Sequence, residues 1–205
     1  MKSIDRSNPE KQNELDIARR AIKFRKHLDI TDKTYVDIID ILEFRIKEFI
    51  PEFKLMVRRD IELNNTAETH ENPPRIFVRE TVYDAACEGD QECRRILAHE
   101  LAHLMLHYEI EGPKHRSIDV YEPEFYGMNS LDSSEDQADI YARNFLVPPF
   151  LAFQYRNDIL KLSSLTGTPV HIAKAAATIS RRQEMLKIRQ PPSRVSVNCA
   201  RQNYE

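Results

Sequence analysis

The chain has 205 residues, 41% hydrophobic and 31% charged, with a net charge of −3. That suits one globular domain with a small appendage and argues against a surface that seeks nucleic acid in general. No apolar run nears the roughly 20 residues of a membrane span, and Met1-Lys2-Ser3-Ile4-Asp5 does not open a signal peptide. Cys87, Cys93 and Cys199 are an odd set without Cys-x-x-Cys, so a reducing, cytoplasmic setting is expected rather than a disulfide framework.

Residues 1–12 are polar. Asn13 to Leu28 reads as a helix with Ile17, Ala21, Phe24 and Leu28 on one stripe. Thr31 or Asp32 is expected to cap a second helix running to Ile50, where Pro51 stops it, with Tyr35, Ile38, Ile39, Leu42, Ile46 and Phe49 as its apolar face. Phe53 to Leu63 alternates, with Phe53, Leu55, Val57, Ile61 and Leu63 on one side, and reads as a strand. Asn64 to Pro74 is a polar connection, and Arg75 to Tyr83 a second strand with Ile76, Val78 and Val82 on one side.

The run Arg94 to His107 then carries His99-Glu100-Leu101-Ala102-His103 inside a helical, almost wholly apolar stretch. Residues four apart lie roughly 6 Å from each other on one helix face, so His99 and His103 can turn two imidazoles to one ion. Glu100 stands beside them and can take a proton from water at that ion. Zinc fits best, being content with nitrogen and carboxylate ligands and able to bring a water pKa to about 7. Without an ion, the same residues would be hydrogen-bonded core histidines and a salt-bridged glutamate, a costly set to bury. His107 is about 12 Å along the axis from His99, too far to share the ion. The metzincin extension is absent, because Leu106 and Glu109 occupy its glycine and third-histidine positions.

A third ligand is expected from Ser133 to Pro148, a second helix in which Ala138, Tyr141, Ala142 and Phe145 form a stripe. Ser133 or Ser134 can cap it, and Pro148-Pro149 ends it. Glu135 lies one turn before Ala138, so it is expected to face inward, with Asp139 one turn further on. Glu135 as ligand and Asp139 holding the outer nitrogen of a liganded histidine would complete the site. Acids in a first turn also simply favour the helix dipole, which is the ordinary explanation of Glu135 and Asp136.

These two stretches, His99-Glu100-Leu101-Ala102-His103-Leu104-Met105-Leu106-His107 and Glu135-Asp136-Gln137-Ala138-Asp139-Ile140-Tyr141-Ala142 through Pro148, resemble the ImmA/IrrE family of small bacterial and phage metallopeptidases. The resemblance spans roughly residues 75–150 of the sequence. Ala102 stands where that family often has glycine, and Val147 where it often has methionine. The resemblance implies a zinc site of one ion held by His99, His103 and Glu135, with Glu100 as general base. It also implies a protein substrate, a transcriptional repressor or antitoxin. The implied fold is α+β and zincin-like: mostly helical, with a small antiparallel or mixed sheet of about three strands packed on the His-Glu-x-x-His helix. Such peptidases commonly bind extended substrate along a sheet edge, here expected at Arg75–Tyr83. Some members carry a helix-turn-helix domain ahead of the peptidase; none is read in this N-terminal part.

Residues 109–132 lack periodicity and join the two ligand helices, so a donor to the oxyanion is sought among His107, His115, Tyr121 and Tyr126. After Pro149 a helical segment runs to Leu165, Thr166-Gly167-Thr168-Pro169 breaks it, and a helix follows from Val170 to Lys187 with Ile172, Ala173, Ala176 and Ile179 inward. The expected organisation is a peptidase domain at 1–150, a helical subdomain at 151–190 and a tail at 191–205. Helix, break and helix, with Arg181, Arg182, Lys187, Arg189, Arg194 and Arg201 at a basic end, leave DNA contact through residues 157–190 as a lesser expectation. The rival to a peptidase is a zinc-containing sensor that binds a partner without cutting it; an intact Glu100 favours the enzyme.

Overall fold

In the computed structural model, which describes residues 13–107 and 133–182, Asn13 caps the first helix by accepting from the Asp16 amide. This α1 (Glu14–His27) buries Ile17, Ala21 and Phe24, with Leu28 buried just beyond. The second helix departs from expectation. Its cap is Asp37, whose carboxylate accepts from the amides of Ile39 and Asp40, and α2 (Ile38–Asp40) passes into a π-helical turn (Ile41–Arg45) and a 3-10 turn (Ile46–Glu48). Ile38, Leu42 and Ile46 are buried, but Tyr35 precedes the helix and is 46% exposed.

The sheet is mixed, with strands in the order β1-β3-β2. Strand β1 (Lys54–Arg58) is parallel to β3 (Arg75–Arg79), and β2 (Ala67–His70) is antiparallel to it. Both expected strands are shorter than the alternation suggested. After Arg58 the chain makes a 3-10 turn at Asp60–Glu62, which leaves Ile61 88% exposed. After Arg79 it enters α3 (Glu80–Cys87), because the Asp60 carboxylate accepts from the Thr81 amide and hydroxyl and so caps that helix. The polar connection 64–74 contains β2, and β3, expected as an edge, is the central strand.

Helix α4 (Gln91–His107) carries the His-Glu-x-x-His motif, and α5 (Ser134–Leu146), capped by Ser133, carries Glu135 and Asp139. Helix α4 packs against α5 on one side and β2 on another, while α1 packs on α5. Phe24 stacks on Phe145 at 5.7 Å, and the buried Arg25 guanidinium donates to the Phe145 carbonyl at 2.7 Å. Burial lowers the Arg25 pKa to about 10, which leaves it charged at neutral pH.

Three helices follow: α6 (Pro149–Gln154), α7 (Ile159–Thr166) and α8 (Val170–Ile179). The last ends at Ile179 with Ser180 as its C-cap, short of the expected Lys187. Leu151, Ala152, Leu162 and Ala173 join the buried cluster that holds Leu97, Leu101 and Phe145. The fold is thus α+β, mostly helical, with a three-stranded mixed sheet against the motif helix. Among the described residues, no helix is long and apolar enough to cross a membrane.

Candidate metal centre

Helix α4 is fixed at its start before it offers any chemistry. Gly89, at φ +92°, turns the chain out of α3, and Asp90 accepts from the Cys93 amide at 2.8 Å in the manner of a cap. One turn on, the buried Arg94 guanidinium donates to the carbonyls of Gly167 and Val36, each at 2.6 Å, and lies 3.8 Å over the Tyr35 ring. The α7–α8 turn and the segment leading into α2 therefore both grip the motif helix. At its far end Arg20 of α1 donates to the Met105 carbonyl at 3.0 Å, satisfying a terminal group of α4. Between these anchors Leu97, Ala98, Leu101, Ala102 and Leu104 are wholly buried.

The two ligand helices run antiparallel, since His99 reaches both Glu135 and Asp139 while His103 reaches Glu135. The Nε2 atoms of His99 and His103 are 3.1 Å apart, His99 Nε2 is 3.2 Å from Glu135 Oε2, and His103 Nε2 is 3.5 Å from Glu135 Oε1. One ligand atom from each of these three residues lies within 4.8 Å of the others, a group that could hold a metal ion. Small buried residues stand on both helices: Ala98 and Ala102 each precede a motif histidine on α4, and Ala138 and Ala142 bracket Asp139 on α5.

The outer nitrogen of His99, Nδ1, meets Asp139 Oδ1 at 2.8 Å, and Arg95 approaches the same oxygen at 3.6 Å. A proton on Nδ1 in that bond would leave Nε2 as the lone-pair atom facing the cluster. Burial works to lower the His99 pKa, but the hydrogen bond and charge of Asp139, with Glu100 and Glu135, raise it overall. The His99 bond, followed by the charges of His99, Arg95 and Arg143, holds Asp139 below the usual carboxylate range against its partial burial. The histidine side chains are 15% exposed; Glu135 and Asp139 are each 60% exposed. Glu135 does not face into the core as expected. It is 60% exposed and reaches across to the histidines of α4, so the cluster sits at the edge of the core.

Glu100, 9% exposed, meets the sheet through Thr69. The Thr69 hydroxyl of β2 lies 2.7 Å from Glu100 Oε2 and 2.9 Å from the Glu100 carbonyl oxygen. Burial pushes the Glu100 pKa up, and the charges of Glu135 and Glu68 push it further. The Thr69 bond and His99 oppose that shift without cancelling it.

The structure therefore brings together His99, His103, Glu135, Asp139 and Glu100. The side chain of His107, and residues His115, Tyr121 and Tyr126, lie outside what the structure describes. Sequence reasoning missed Thr69 and Arg95; only the strand pairing that sets β2 beside α4 could have exposed Thr69. Of the basic C-terminal residues, Arg181 donates to the Arg156 carbonyl and Arg182 to Glu14, while Lys187, Arg189, Arg194 and Arg201 lie outside the described residues. Cys87 and Cys93 are free thiols and belong to no metal-ligating group among the described residues; burial pushes the Cys93 thiol up to about 11. No protein-family model matches the chain, and no curated protein matches it.

Proposed function

We propose that this chain is a zinc-dependent endopeptidase, with His99, His103 and Glu135 as metal ligands and Glu100 as general base. The observation that carries the reading is the close approach of the two imidazole Nε2 atoms, 3.1 Å apart, with the Glu135 carboxylate set across both of them, Oε2 at 3.2 Å from His99 and Oε1 at 3.5 Å from His103. Bonds of about 2.0–2.1 Å in a tetrahedral shell separate neighbouring ligands by roughly 3.3 Å, close to each of those three distances. Two nitrogens and a carboxylate oxygen are also the donor chemistry of catalytic zinc, where three protein ligands leave a fourth position open.

Bound zinc would supply a Lewis acid that acidifies water to a pKa of about 7 and polarises a peptide carbonyl. The remaining work belongs to the chain's own side chains. Asp139 fixes the His99 ring so that Nε2 is the ligating atom. Glu100, with its basicity raised by burial, takes the proton of the attacking water and passes it to the leaving amine. Strand β2 is the edge of the sheet beside α4, so it, rather than β3, is the place for an extended substrate to add as a further strand. The class of protein substrate, a repressor or antitoxin, rests on the resemblance of the two helix motifs to the ImmA/IrrE peptidases.

The test is metal content by elemental analysis, together with mass-spectrometric detection of new termini in a proteome-derived peptide mixture. Glu100→Gln should keep about one zinc per chain and lose cleavage by about 100-fold or more. Wild-type cleavage by zinc-loaded Glu100→Gln would rule the mechanism out.

A further inference from the structure

Strand β2 touches the general base through one side chain and, among the described residues, is an outer strand of the sheet, and both properties meet at a single residue. The register pairs Ala67 with Val78, Glu68 with Phe77, Thr69 with Ile76 and His70 with Arg75. Just before it, the Arg79 amide donates to the Thr66 carbonyl at 3.1 Å, so Thr66 and Arg79 form a hydrogen-bonded pair. Antiparallel pairs alternate between bonded and non-bonded types. Glu68 and His70 therefore spend their main-chain groups on β3, whereas Ala67 and Thr69 turn theirs outward to the free edge. The side chains alternate as well. Glu68 and His70 lie on the outer face, where His70 meets Phe77 at 4.9 Å, while Ala67 and Thr69 lie toward α4. Of the two residues with an outward main chain, only Thr69 bonds the base.

We infer that Thr69 is a positioning residue joining substrate main chain to general base. Its amide and carbonyl receive the added strand, and its hydroxyl holds Glu100 Oε2, leaving Oε1 to accept the proton of water. The strand that binds the peptide thereby sets the rotamer of the carboxylate that acts on it. A carboxylate without this donor would be free to rotate, and a displacement of about 1 Å at a reacting group costs on the order of 100-fold in rate. This inference rests on the peptidase reading, so one of its readouts is independent of turnover.

The experiment uses the zinc-loaded full chain carrying Thr69→Val, Thr69→Ser and Glu100→Gln, alone and with Thr69→Val and Glu100→Gln combined. Valine keeps the shape and strand preference of threonine and removes only the hydroxyl. Cleavage is read on the proteome-derived peptide mixture. The second readout is affinity for acetohydroxamate, a metal-directed acid whose proton a neighbouring base accepts on binding. Thr69→Val should cut cleavage by about 10–100-fold and weaken acetohydroxamate by about 10-fold at unchanged zinc content. Thr69→Ser should restore both to within about 3-fold, and Thr69→Val should add nothing once Glu100 is glutamine. If Thr69→Val matches wild type in both readouts, or lowers them by the same factor with and without Glu100, the positioning role is overturned. Absence of cleavage by the wild type, with the hydroxamate pattern intact, overturns the peptidase reading and upholds the link between Thr69 and Glu100. Should Thr69→Val fail to fold by circular dichroism, Thr69→Ala carries the same expectations.

Discussion

Replacing Gly167 with alanine should be among the most damaging single changes in the chain, although it lies in a turn far in sequence from His99, His103 and Glu135. Gly167 has φ +59°, and a Cβ there would sit 1.9 Å from Arg94 Nη1 and 2.7 Å from Tyr35 Cε2. A flexible arginine at a surface would swing aside at little cost. Arg94 is 1% exposed, with both amino groups committed to carbonyls and its plane stacked on Tyr35. The left-handed backbone costs alanine roughly 1 kcal/mol. Loss of one charge-assisted bond adds about 1.5–3 kcal/mol, and disturbing the stack about 1 kcal/mol. The sum is roughly 4 kcal/mol, a large fraction of the stability of a domain this size. Guanidinium denaturation at constant m-value is the assay. In an Arg94→Met background the guanidinium contact is gone and the Tyr35 ring, 46% exposed and no longer stacked on Arg94, can move off the Cβ, so the same glycine change should cost only about 1–2 kcal/mol. Equal costs in the two backgrounds, or a cost below about 1.5 kcal/mol in the wild type, would refute the clash with Arg94 as the cause.

Asp139→Ala should weaken metal binding by about 10–100-fold in a chelator competition, by releasing the outer nitrogen of His99; unchanged affinity would contradict that support. Saturating zinc at a thousand times its dissociation constant should stabilise the wild type by roughly 4 kcal/mol against unfolding, and His103→Ala should show no such gain. Tyr83→Phe should cost about 1 kcal/mol, the worth of its hydroxyl bond to the Glu43 carboxylate. That bond, followed by partial burial, raises the Tyr83 pKa. Its contribution is therefore complete below the unfolded tyrosine pKa of about 10 and is lost as pH rises through the folded value. Absorbance titration of tyrosinate, alongside stability measured from pH 8 upward, should show a fall in the wild type that Tyr83→Phe lacks.

The helices that carry the site were legible because they announce themselves locally. Asn13 and Ser133 are capping residues ahead of apolar stripes, and the four-residue step from His99 to His103 has one meaning on a helix. Errors fell where a distant residue decides the local outcome. Val82 continues the alternation of β3, so the strand reads on to Tyr83, yet Asp60, twenty-one residues before Thr81, caps a helix there instead. The 31–50 segment offers five capping residues in Thr31, Asp32, Thr34, Asp37 and Asp40. Its apolar spacing also cannot tell an α turn from the π and 3-10 turns that follow. Strand β2 was invisible as Ala67-Glu68-Thr69-His70, four residues with one small apolar side chain. Its strandhood comes from pairing with β3, and with it went the chance to see Thr69.

Glu100 offers a way to separate a working base from a structural one. It is 9% exposed, its ionised form is penalised by burial, and Glu68 and Glu135 repel it. If its place is structural, truncating it removes the carboxylate that ties α4 to β2 and should destabilise the fold. If it is kept for chemistry, the metal-free protein carries it at a cost, and an apolar replacement of similar length should relieve that cost. Thr69 would not be orphaned, because the same hydroxyl lies 2.9 Å from the Glu100 carbonyl oxygen, which survives the substitution. Glu100→Met should accordingly leave metal-free stability unchanged or raise it by about 1 kcal/mol in guanidinium denaturation while abolishing cleavage. A loss of more than about 1 kcal/mol would mean that the carboxylate supports the packing of β2 on α4 rather than the reaction.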